Sequence, residues 1–124
     1  MFKTKVEAAF AVYSMANVPQ RVYRLPLPHD VKFNILQPGD KKLSHAPRVK
    51  VFRNHLDGEF NFSVSLDENP ELVAGNNFLN GVQLRLVLDH IKKYRTAYLM
   101  LWHDDAMDID ELRIEMDKID AAST

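Results

Sequence analysis

Between Phe60 and Asp108 the hydrophobic period changes from two to about 3.6, and a short chain carrying both periods must set a pleated sheet against a helix. Phe60, Phe62, Val64 and Leu66 alternate with Asn61, Ser63 and Ser65, the pattern of a strand with one dry face. After Gly75-Asn76-Asn77, apolar residues recur at Leu84, Val87, Leu88, Ile91, Tyr98, Leu101 and Trp102, along one helical stripe. At 124 residues there is room for one hydrophobic core. The expectation is a single α+β domain over 1–124. A mostly antiparallel sheet of three or four strands packs on a long amphipathic helix, 80–102, and a short acidic helix, 108–120, follows.

The rest of the chain fills in that outline. Val6, Ala9, Phe10 and Tyr13 share a helical face before Asn17 and Pro19, which predicts a first helix over 3–16, although Phe10, Val12 and Ser14 also permit a strand. Val22 to Leu25 precede Pro26 and Pro28, which predicts an edge strand or an extended connection. Val31, Phe33 and Ile35 alternate with Lys32 and Asn34, and Gln37-Pro38-Gly39-Asp40 supplies turn chemistry. A surface loop over 41–47 leads to a strand containing Val49 and Val51, joined through His55-Leu56-Asp57-Gly58 to the strand at 59–66. Asn80 with Gln83, and Asp108 with Glu111, have the spacing of capping boxes. Ile109, Leu112, Met116 and Ile119 give the last helix an apolar stripe that must dock on its own domain or on another chain.

Charge is unevenly spread. Residues 1–55 hold ten lysines and arginines against Glu7, Asp30 and Asp40, whereas 56–124 hold six against fourteen acids. Lys41, Lys42, Arg48, Lys50 and Arg53 meet no acid within 41–55, and eight acids in 104–120 meet only Arg113 and Lys118. Such asymmetry either cancels across the fold or marks surfaces for charged partners. Cysteine is absent, so there is no disulfide framework and no thiolate chemistry, and a reducing cytoplasm fits. The start, with Glu7 and no long apolar run, does not read as a secretory signal. No stretch has the roughly 18–20 apolar residues of a membrane span.

The segments Pro47-Arg48-Val49-Lys50-Val51, Val64-Ser65-Leu66, Glu71 to Asn76 and the helix up to Leu99-Met100-Leu101-Trp102 follow one another in a recognisable order. On these residues the block 47–107 resembles a family of small bacterial proteins classed as a domain of unknown function and found beside compact partner genes in toxin-antitoxin-like arrangements. The resemblance implies a strand-strand-helix core and a prokaryotic or phage setting. Many relatives carry histidines in the first strand, where this chain has Arg48 and Lys50, so no metal or acid-base role carries over. Residues 1–46 have no counterpart.

Catalytic patterns are missing. His29, His45, His55, His90 and His103 include no H-x-H and no pair four apart on a helix, so no metal site is expected. His103-Asp104-Asp105 reads as a helix end, its histidine favoured by the dipole. There is no G-x-S-x-G elbow and no glycine-rich phosphate loop, so no cofactor is expected and enzymatic activity is disfavoured. The first functional expectation is a non-enzymatic interaction module of a defence or toxin-antitoxin-like system, an inhibitor in character. It would bind a protein partner by charge complementarity through Asp108, Asp110, Glu111 and Glu115 and through Lys41, Lys42, Arg48, Lys50 and Arg53. The alternative is an RNA-binding protein or ribonuclease toxin that uses the basic segment 41–55, with Arg48, Lys50 and Phe52 on one strand face and His55 nearby. A third is a structural subunit of a larger assembly.

Overall fold

The structure, a computed structural model, describes residues 14–39, 45–56 and 58–123. They form an α+β fold in which five strands, β1 (Ser14–Val18), β2 (Val31–Gln37), β3 (Arg48–Arg53), β4 (Asn61–Ser65) and β5 (Leu72–Gly75), make one antiparallel meander in chain order. A single-turn helix, α1 (Gln20–Tyr23), lies between β1 and β2. Three helices follow the sheet: α2 (Gly81–Lys93), α3 (Arg95–His103) and α4 (Ile109–Ala122).

Alternation works as expected on β2, β3 and β4. Val18, Phe33, Val51 and Phe62 stand opposite one another across four strands, and all are fully buried. Gly75 completes this row with φ +78°, a left-handed backbone beside which an added Cβ would meet the Asn61 carbonyl oxygen at 2.4 Å. Onto this dry face pack Val87 and Ile91 of α2, Tyr98 and Leu101 of α3, and Leu112 and Met116 of α4. Each such side chain contributes about 1.5–3 kcal/mol by leaving water. The acidic helix therefore docks on its own domain.

Both capping boxes form. Asn80 Oδ1 accepts from the Gln83 amide at 2.8 Å and Gln83 Oε1 accepts from the Asn80 amide at 3.1 Å. Asp108 and Glu111 exchange the same two bonds at 2.8 and 3.2 Å. Gln37, the last residue of β2, donates to the carbonyls of Asp104 and Met107 at 3.1 and 2.8 Å and so fixes the α3–α4 connection.

Several expectations are corrected. The sheet has five strands where three or four were predicted. Of the helix predicted over 3–16, residues 3–13 lie outside the described residues, and Ser14 to Ala16 belong to β1, paired with Ile35 to Gln37. Val22 and Tyr23 lie in α1 rather than in a strand. Arg24 ends that helix at φ 61°, and Gln20 Nε2 locks the turn by donating to the carbonyls of Leu25 and Leu27. The helix over 80–102 is two helices divided at Tyr94, without proline or glycine at the break. There the Tyr94 hydroxyl donates to Asp120 of α4, and Arg95 Nε donates to the Leu66 carbonyl at 2.8 Å, so tertiary bonds hold the chain on either side. Phe60 precedes β4 and is exposed, resting edge-on against Phe78.

Candidate functional site

The antiparallel register also decides what occupies the other face of the sheet. Asn17, Asn34, Lys50, Ser63 and Ala74 face one another in a row running across all five strands. Beside it lie Met15, Leu36, Arg48 and Ser65 on one side, and Lys32, Phe52 and Asn61 on the other. Three of these residues are basic and none is acidic. The acidic α4 belongs to the helix layer, so the sheet separates its carboxylates from this face.

A cleft of about 330 Å³ opens here, lined by Arg48, Lys50, Asn34, Asn61 and Ser63, with Met15, Leu36, Leu56, Ala74, His45 and Trp102 supplying apolar and aromatic wall. Trp102 comes from the last turn of α3, and its ring stands 6.0 Å from that of His45. Arg48 and Lys50 are half-buried, yet among the described residues neither has an ion-pair partner, and Arg48 Nε is shut off from solvent without a hydrogen bond. Nitrogen donors in that state are rare, because a buried unpaired polar group costs about 1–3 kcal/mol. Asn34 donates through Nδ2 to Asn17 Oδ1 at 2.8 Å, and its own carbonyl oxygen accepts no protein hydrogen bond among the described residues. Ser63, opposite Lys50, is buried. Such a surface meets an anion with two charges and the Ser63 hydroxyl, the Asn34 and Asn61 amides already donating to Asn17 and to the Gly58 carbonyl, and this is the chemistry of a phosphate.

The other expected site residues distribute differently. Lys41 and Lys42 lie outside the described residues. Arg53 has the opposite parity to Arg48 and Lys50, and its Nε donates to Asp30 Oδ2 at 2.8 Å. That bond holds the Asp30 carboxyl below its usual range. His55 is exposed. Phe52 shares the face of Arg48 and Lys50, as the strand period requires, but is only 4% exposed and offers no platform for stacking a base. On α4, Asp108 and Glu111 are engaged in the capping box, Glu115 accepts from Lys118 at 2.9 Å, and Asp110 points into solvent. Asp117 pairs with Arg24 at 3.2 Å and Asp120 with Lys93 at 3.0 Å, so part of the charge asymmetry cancels across the fold.

His90 is a second place where chemistry gathers. Its Nε2 and the Tyr98 hydroxyl share a 2.7 Å hydrogen bond inside the core, and the rings of Tyr23, Phe33 and Tyr94 surround it. Burial, with the positive charge of Lys93 adding to it, pushes the imidazole down to about 4. His90 borders a cleft of about 280 Å³ with Tyr23, Lys93 and Tyr94, but its Nε2 is taken by Tyr98 inside the core, and the arrangement reads as structural. Eight residues along a continuous helix would set Tyr98 about 12 Å from His90, and the division at Tyr94 is what brings the Tyr98 hydroxyl within reach.

Among the described residues no group of three or more histidines and carboxylates is arranged to hold a metal ion, and no helix is long and apolar enough to cross a membrane. No protein-family model, curated protein or solved structure matches the chain.

Proposed function

We propose that this protein is a non-enzymatic RNA-binding module whose working surface is the basic face of the sheet. One observation carries the reading: Arg48 and Lys50 stand unpaired among the described residues, side by side in a cleft on a face whose strands contribute no carboxylate. The acidic α4 lies across the sheet from this cleft, so its carboxylates do not oppose a polyanion there. Lys32, exposed on the same face, extends the positive surface beyond it. Hydrogen-bonding amides and a serine accompany the charges, which suits sugar and phosphate contacts. The test is fluorescence anisotropy of a labelled single-stranded oligouridylate as salt is raised. Binding should weaken with salt, and Lys50→Gln should lower the log–log salt slope by about one. Absence of binding at low salt would refute the reading.

A second reading is a protein partner in a defence or toxin-antitoxin-like setting, and one feature of the helix layer favours the protein partner. Met100 and Ile114 are exposed along a groove between α3 and α4 that Asp104, Glu111 and Glu115 border. A basic partner with an apolar anchor fits such a surface. Ile114→Lys is its clean probe, because Ile114 is exposed in the groove, whereas Asp108 and Glu111 cap the helix and their replacement would unsettle α4 itself.

A further inference from the structure

We infer that the cleft on the basic face recognises the terminal phosphate of a nucleic-acid strand, an inference that rests on the RNA-binding reading above and gives its site a ligand. Arg48 and Lys50 are two residues apart on β3, so their side chains rise from the same face about 7 Å apart and can close on one group. Ser65 lies opposite Arg48, and Ser63 opposite Lys50, which puts neutral donors next to each cation. An internal phosphodiester brings one negative charge, whereas a terminal phosphomonoester carries about −1.5 to −2 at neutral pH and matches two cations. Half-burial sharpens that difference, because a cation left unmatched in a poorly solvated cleft is costly. Arg48 Nε is buried and without a partner, and a turn of the Arg48 side chain into the cleft would give it a phosphate oxygen to donate to.

The walls supply the rest of the recognition. About 330 Å³ is at the small end of ligand pockets, suited to an end group and its attached nucleoside. Leu36, Met15 and the His45 ring form the side against which the sugar and base of the terminal nucleotide would lie, with the buried Trp102 backing the His45 ring. The shared chemistry is a phosphomonoester on a nucleoside, at either the 5′ or the 3′ end of the strand.

Anisotropy with one short oligouridylate in three forms, 5′-phosphorylated, 3′-phosphorylated and with hydroxyls at both ends, separates these ends, with the dye on an internal base. One phosphorylated form should bind about tenfold tighter than the hydroxyl form, the size of a charge-assisted contact. That advantage should vanish in Arg48→Gln and shrink in Arg48→Lys, with folding of each variant checked by its melting curve. Equal affinity for all three forms, with Arg48 and Lys50 still needed, would overturn the terminal-phosphate inference and leave the RNA-binding reading standing. An advantage that survives in Arg48→Gln would place the phosphate elsewhere and also overturn it. Failure of every form to bind at low salt would remove both.

Discussion

Acidification from pH 7 to pH 5 should weaken the fold through His90. An exposed imidazole titrates near 6.5, and burial among Tyr23, Phe33, Tyr94 and Tyr98 pushes His90 down to about 4. Because the folded value is the lower one, the unfolded chain takes up the proton first as pH falls. The stabilisation is complete above pH 6.5, is lost on descent towards pH 4, and changes no further below that. The full swing is about 3 kcal/mol, of which about 2 kcal/mol has gone by pH 5. Asp30 and Asp120, whose carboxyls are held low by bonds from Arg53 and from Tyr94 and Lys93, lose their contribution only as pH falls through the carboxylate range below this window. Urea unfolding followed by the fluorescence of Trp102, the single tryptophan and a buried one, reads the effect. His90→Gln keeps a polar partner for Tyr98 and cannot titrate, so wild type should lose about 2 kcal/mol more than this variant between the two pH values. Equal losses would refute the assignment of the effect to His90.

Gly75→Ala should destabilise the β4–β5 edge by about 1–3 kcal/mol, since the new Cβ would collide with backbone at Asn61 and Phe62 on a positive φ; hydrogen exchange at the Ala74 amide and the melting temperature report it. Gln37→Leu should cost about 1–3 kcal/mol in urea unfolding, because the Asp104 and Met107 carbonyls lose their donor. Asp108→Ala should cost about 1 kcal/mol by removing the N-cap of α4, and Asp108→Asn should recover most of it in the same assay.

Local chemistry made much of this fold legible. The alternation in β2, β3 and β4, the hairpin before β4 and both capping boxes depend on residues close in sequence, and each stands where the pattern puts it. β1 was read as helix because its strand character comes from pairing with β2, on the far side of α1. β5 gave no alternation because Leu72, Val73 and Ala74 are apolar in succession and all are exposed at the sheet edge, so burial imposed no period of two. Arg48 and Lys50 were identifiable from the lack of neighbouring acids. Asn34, Ser63 and Trp102 were not, because only the register of three strands and the path of α3 bring them to the same cleft. The carboxylates of α4 suggested a recognition surface, yet their use in caps and in pairs with Arg24 and Lys93 requires contacts that no linear pattern contains.

The order of elements has a consequence for biosynthesis. Every strand leaves the ribosome before any of the three helices that shelter Phe33, Val51 and Phe62. Until Leu112 and Met116 have emerged, the nascent meander presents a water-facing apolar surface and cannot hold together alone for long. Arrival of α4, rather than pairing of the strands, is then the event that commits this fold to its native state, and a ribosome stalled before α4 would display a sticky sheet to the cell's chaperones.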